Sequence, residues 1–251
     1  MIRVSASAFD VLWTDLGYSA RPGPLAVRSV GETDQDRTDI RAAVYDNLAE
    51  RGLFADGRLD PVLEERLAAL ATAEVYVECE ALVDMAEGEP LRAVAAAGGA
   101  GAVLAVQPRQ TIGLSEIRDT ELVPAAVGVL PELEPGPGYG ISLPAARLGS
   151  GMADPVFDEE EGQAQSGPYQ QQVREVLAIQ ARPVFGAGQF SVRVRERGGR
   201  VRRLGGVSWF VTDVGAYLGT VAPGRGGQEW MSVAPADSAR LVGKLSDILE
   251  Q

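Results

Sequence analysis

The chain has 251 residues, a net charge of −12, one cysteine and no histidine. Without imidazole, Ser-His-Asp, Cys-His and zinc-hydrolase chemistry are excluded, and the negative field opposes general binding to nucleic acid or anionic membranes. A chain of this length buries roughly 70 to 75% of its unfolded surface, so it needs no covalent staple, and the single Cys79 has no intrachain partner, which suits the cytoplasm.

Met1 leads into Ile2, Arg3 and Val4, with no apolar core of signal-peptide length, and no apolar run reaches about 18 residues. A cytoplasmic protein without membrane insertion is expected. Residues 7–16 read as a helix with Phe9, Leu12, Trp13 and Leu16 on one face, followed by a strand or loop around Leu25–Val30. From Thr33 to Arg51, Ile40, Ala43, Val44 and Leu48 keep helical spacing. Asp34, Asp36 and Asp39 load the N-terminal turns, and Gly52 stops the helix. Asp60 as N-cap and Pro61 at the first position open another, whose Leu59, Val62, Leu63, Leu67 and Leu70 form a core stripe.

Val75, Val77, Cys79 and Ala81 then alternate with Glu74, Tyr76, Glu78 and Glu80, the period of a half-buried strand. Cys79 is read as a small buried strand residue. An acidic connection, Asp84–Pro90, leads to strands at Leu91–Ala97, Ala102–Gln107 and Gln110–Leu114, and a short helix at Leu122–Leu130 closes before Pro131. The same order recurs: a helix at Tyr169–Gln180, strands at Gln189–Arg197, Arg202–Thr212, Ala216–Val221 and Glu229–Val233, and a last helix with Leu241, Leu245, Ile248 and Leu249 inward. Helix, strand run, helix is thus stated twice, across residues 59–133 and 168–251. The expected fold class is α+β, a quasi-twofold arrangement of two related halves, each an antiparallel-rich sheet flanked by helices. Its divisions are an N-terminal half over 1–133, a flexible acidic connection over 134–167, rich in Gly, Pro and Gln, and a C-terminal half over 168–251.

Candidate catalytic motifs fail on inspection. The glycines Gly98, Gly99 and Gly101 lack a following Lys-Ser/Thr and read as a tight turn. Gly206-Val207-Ser208-Trp209-Phe210 lacks the second glycine of a nucleophile elbow. No catalytic residue, cofactor or metal is expected; an Asp/Glu/Tyr enzyme is the disfavoured alternative. Arg193, Arg195, Arg197, Arg200, Arg202 and Arg203 flank a Gly198-Gly199 turn. They read either as a solvated hairpin that resists aggregation or as an acidic contact, within the protein or across an interface.

Ala8-Phe9-Asp10-Val11-Leu12-Trp13-Thr14-Asp15-Leu16, Gly31-Glu32-Thr33-Asp34-Gln35-Asp36-Arg37 and Leu48-Ala49-Glu50-Arg51-Gly52-Leu53 form an N-terminal pattern. Together with Val129-Leu130-Pro131, Pro135-Gly136-Pro137-Gly138 and Ser142-Leu143-Pro144, and with Gly205 to Phe210 followed by Asp213 to Leu218, it resembles the EspG family of the actinobacterial type VII (ESX) secretion system. The likeness runs through nearly the whole chain. It implies a quasi-twofold cytosolic chaperone that binds the tip of PE/PPE-type heterodimers, masks their apolar surface and supports their export. A homodimeric scaffold is the alternative, and a homodimer of the free protein is compatible with both. One departure is Ala216, where family members often carry the arginine of a Gly-Arg-Tyr motif.

The resemblance also implies a grip formed by the loop between the first two sheet strands, by the central sheet and by the C-terminal helical region. The matching loop here is Asp84–Pro90, giving Met85, Glu87 and Glu89 as candidate partner contacts. On the second strand run, Trp209 and Val211 alternate with Ser208, Phe210 and Thr212, so one aromatic faces the helices and the other faces away. Phe210 and Trp230 are the remaining candidates, and Asp213 reads as a turn residue.

Overall fold

The protein's structure, a computed structural model, describes residues 1–146, 170–224 and 227–250. Strand β1 (Ile2–Ser5) runs directly into α1 (Ala6–Asp15), where the Ser5 hydroxyl accepts from the Ala8 N–H at 3.1 Å. Helix α2 (Asp34–Glu50) opens on a reciprocal capping box between Thr33 and Asp36. The Asp60 carboxylate, followed by Pro61, caps α3 (Pro61–Thr72) after a short hairpin of β2 (Phe54–Ala55) and β3 (Arg58–Leu59). Each cap satisfies an N–H that the first helical turn leaves without a partner. Residues 25–30 form no regular element.

Strands β4 (Val75–Leu82), β5 (Leu91–Gly98), β6 (Gly101–Gln107) and β7 (Thr111–Ile117) follow, closed by α4 (Leu122–Val127). After β8 (Ile141–Pro144) and α5 (Gln170–Gln180), a second run comprises β9 (Val184–Arg195), β10 (Val201–Thr212), β11 (Gly215–Pro223) and β12 (Glu229–Pro235), closed by α6 (Ser238–Leu249). Most of the connection expected over 134–167 lies outside the described residues. Its described start holds β8, an edge strand whose Ile141 and Leu143 are buried.

The two halves do not build a sheet each. They share one antiparallel ten-stranded sheet in the order β1-β7-β6-β5-β4-β9-β10-β11-β12-β8. The first half supplies five strands, and β9–β12 of the second half together with β8 from the start of the connection supply their five equivalents in reverse order, so the quasi-twofold axis passes between β4 and β9. That seam is continuous from Val75↔Val194 to Leu82↔Ala187. Gly186 and Gly188 are required there: a Cβ would stand 2.6 Å from the Val83 carbonyl oxygen at the first and 2.8 Å from the Glu80 carbonyl oxygen at the second.

Three apolar clusters hold the layers together. On the front face of the first half, Phe9, Leu12, Trp13, Leu48, Leu63 and Leu67 of α1–α3 pack on Val94, Ala96, Val103, Ile112 and Leu114. On the back face, one cluster crosses the seam: Val77, Cys79 and Ala95 join Phe190, Val192 and Trp209 beneath α4 and α6. On the front face of the second half, Val176 of α5 packs over Leu143, Tyr217 and Val233. Burial pushes the Cys79 thiol up to about 12, the environment of an inert structural cysteine.

Candidate partner-binding surface

Where β4 ends, its loop is built by short-range bonds. The Asp84 carboxylate accepts from the Ala86 N–H at 2.8 Å, its carbonyl accepts from the Glu87 N–H at 3.2 Å, and Gly88 takes φ +68° to turn the chain back. The Met85 N–H donates to the Phe185 carbonyl at 2.8 Å, which anchors the loop to the start of β9. Met85 is thereby held 46% exposed beside Phe185 at 54%, with Val83 and Val184 each at 38%. Four large apolar side chains left in solvent at one end of one strand pair form a patch, unlike singly scattered surface residues. Glu89 pairs with Arg109 at 3.3 Å and ties the loop to the β6–β7 turn, while Glu87 is exposed on its rim.

Along the seam next to this end lies an open groove of about 530 Å³, lined by Glu80, Leu82, Pro90, Ala187, Gln189 and Ser208. Helices α1–α3 stop short of it on one side and the α5 cluster on the other. Its lining mixes apolar Leu82, Pro90 and Ala187 with polar Glu80, Gln189 and Ser208; further along the same strands, outside the groove, Glu78 pairs with Arg193 at 2.9 Å. Burial raises the Glu78 carboxyl above the usual carboxylate range, and the charges of Arg193 and Arg203 offset only part of that rise.

Leu82 faces Ala187 across the seam, and Ala187 faces Phe210 on β10. Phe210 therefore lies on the same rung as the end of β4, on the front face. It is half-buried and stacks on Tyr217 with ring centroids 5.7 Å apart, while Trp209 points the other way into the back-face core. Trp230 is set apart. It pairs with Ala222 and Pro144 toward the opposite end of the strands, and the alternation of β12 puts it on the face opposite Met231 and Val233. Asp213 occupies the β10–β11 turn, ion-paired with Arg182 at 3.1 Å. Met85, Glu87, Glu89 and Phe210 thus share one end of the sheet and Trp230 does not. Phe185 and Val184 escaped the sequence reading because Gly186 and Gly188 interrupt the strand pattern that would have placed them.

Residues 5–247 match the model of the EspG family. The chain belongs to that family. No curated protein matches it. The fold of this EspG-family chain is similar to that of the Mycobacterium tuberculosis type VII secretion system chaperone EspG5, solved in complex with a PE25–PPE41 dimer. The TM-score is 0.69 at 12% identity, over 99% of this chain and 95% of that chain.

Several motifs that carry the EspG resemblance are structural. The Asp10 carboxylate is fully buried and accepts from Arg21, from the Val30 N–H at 3.1 Å and from Arg37 at 3.2 Å, joining the first two motifs. Burial alone would raise its pKa, but the Val30 N–H and the two guanidinium groups outweigh that and hold it below the usual range. In the Pro-Gly-Pro-Gly motif, a Cβ on Gly136 would fall 2.4 Å from the Tyr217 ring, whose hydroxyl donates to the Pro137 carbonyl at 3.1 Å. Ala216 is fully buried, with backbone bonds to Glu134, Gly136 and Ala236. In this chain that position belongs to the core and offers a partner no polar contact. Among the described residues no helix is long and apolar enough to cross a membrane, and no group of His, Cys, Asp and Glu could hold a metal ion.

Proposed function

We propose that this EspG-family chain is a cytosolic, non-enzymatic chaperone of a type VII secretion system. It binds the PPE tip of a PE/PPE-type heterodimer and keeps the pair soluble for export, and its two halves act as one domain. The observation that carries the reading to a surface is the exposure of Val83, Met85, Val184 and Phe185 at the end of the seam where the open groove of mixed polar and apolar lining lies. An apolar tip can be desolvated on the patch while its polar flank meets Glu80, Gln189 and Ser208, with Glu87 and Glu89 at the rim, an apolar centre with a polar surround. The acidic surface of the chaperone then lends solubility to the complex. Phe210, on the same front face and one strand over from Ala187, stands beside the groove, and Trp230 belongs to a separate region.

The test is co-expression with PE/PPE-type pairs, reading co-purification and the soluble fraction of the pair. Met85→Ser with Phe185→Ser should weaken the complex by about 2 kcal/mol or more, the loss typical of central apolar anchors, while circular dichroism stays unchanged. Failure to bind any such pair would leave only a shared fold. A complex indifferent to the double variant would move the surface elsewhere.

A further inference from the structure

The six arginines between Arg193 and Arg203 sit at the end of β9 and the start of β10, the other end of the seam strands from the apolar patch. Two of them reach partners outside the hairpin. Arg195 donates to the carbonyls of Ala71 and Ala73 at 2.8 and 2.9 Å and so caps α3, and Arg193 pairs with Glu78. Arg202 pairs with Glu196 at 3.0 Å, and Arg203 donates to the Ser191 hydroxyl at 3.2 Å. The side chains of Arg197 and Arg200 have no hydrogen bond or ion pair among the described residues, and both are exposed, as are Arg202 and Arg203. Arg193 and Arg203 face each other directly across the two strands, a like-charge pairing that destabilises a sheet. An acidic protein thus keeps a concentrated, partly self-repelling positive patch that its own carboxylates cover only in part.

The backbone at this place is also open. Register pairs between β10 and β11 run only from Ser208↔Gly219 to Thr212↔Gly215, whereas the equivalent β5 and β6 pair from Arg92↔Gln107 to Gly98↔Gly101, nearly their full length. The exposed Val201, Arg202 and Arg203 therefore have β9 on one side and no strand on the other among the described residues. We infer that this projecting β9–β10 hairpin is a docking site for an extended acidic segment of a second protein. The segment lies along the open side of Val201–Arg203, its carboxylates on Arg197, Arg200, Arg202 and Arg203. Main-chain pairing supplies the alignment and charge the selectivity. Since the hairpin and the apolar patch occupy opposite ends of the seam, the acidic partner and a cargo bind together.

The experiment uses the full chain and a fluorescein-labelled peptide of Glu-Glu pairs separated by single Thr residues, which presents carboxylates to both faces of the strand, read by anisotropy at about 0.05 M salt, where exposed charges are weakly screened. Three controls accompany it: the same peptide with Gln for Glu, one with Pro at alternate positions, and a single-stranded oligonucleotide of equal charge. The Glu peptide should bind and the Gln and Pro peptides should bind at least about tenfold more weakly. Arg197→Glu with Arg200→Glu, on an exposed turn, should weaken the Glu peptide by about tenfold or more and leave PE/PPE co-purification intact. Equal binding of the Gln peptide, or no effect of the arginine variant, overturns the site, and so does no binding at all. Equal binding of the Pro peptide removes the strand pairing, equal binding of the oligonucleotide makes the patch a general polyanion surface, and a dimer abolished by the arginine variant makes the occupant a second copy of this chain; each also overturns the proposal. Because the PE/PPE complex is read separately, its failure and that of the hairpin site are distinguishable.

Discussion

Asp10 is a carboxylate out of water with three polar partners; removing it would leave the Val30 N–H without its acceptor and take the carboxylate from Arg21 and Arg37, although Arg37 keeps Ser29, Thr14 and the Val30 carbonyl. Asp10→Ala is expected to cost about 2 kcal/mol, the scale of lost hydrogen bonds to a charged group, measured by urea unfolding. The pH dependence carries a definite sign. Its folded pKa is depressed, so the stabilisation is present above the unfolded value near about 4 and is lost as pH falls through the folded value. Asp10→Asn should therefore flatten the acid limb of stability between about pH 5 and pH 2. Gly31 stands at φ +83°, where a Cβ would come within 2.7 Å of the Arg37 backbone nitrogen. Gly31→Ala should cost about 2 kcal/mol or more through left-handed strain and displacement of α2, read as a lower urea midpoint with an unchanged slope.

At the scale of elements, Arg195 joins the halves by holding the C-terminal carbonyls of α3 from β9. Arg195→Ala should lower stability by about 1 to 2 kcal/mol, and Arg195→Lys should recover little, because one ammonium cannot reach both carbonyls in the forked geometry of a guanidinium. Which elements could be read in advance follows from how local their signals are. Helices α2 and α3 were legible because Thr33, Asp36, Asp60 and Pro61 mark their starts within the chain itself, and β4 because Val75, Val77, Cys79 and Ala81 alternate cleanly. Strand β1 was missed because four residues ahead of a helix give no period to read. Strand β8 was missed because Ile141 to Pro144 follows a Gly/Pro run and becomes a strand only by pairing with β12. For the arginine hairpin the alternative of an acidic contact within the protein holds for Arg193, which pairs with Glu78, but the partners themselves could not be read, because those of Arg193 and Arg195 lie on β4 and at the end of α3, more than a hundred residues away in sequence. Met85 and Phe210 were legible as candidates, but that they share one end of the sheet while Trp230 does not depends on the register of the strands between them.

The whole molecule is governed by the seam. The back-face core takes Val77 and Cys79 from one half, Phe190 and Trp209 from the other, and a covering helix from each, so neither half keeps its apolar face dry alone. Urea unfolding in variants retaining only Trp13 or only Trp209 should give coincident transitions. The sole thiol, Cys79, should react with an aromatic disulfide reagent only at the rate of that shared opening. The same seam sets a timetable for synthesis. Once β5–β7 have folded against β4, that strand presents an unpaired edge, and its partner β9 is not complete until Arg195 has been made. Such distant pairing slows folding and leaves a nascent chain open to wrong strand partners. A chain proposed to keep another soluble thus passes through a stage in which its own half-built sheet needs protection.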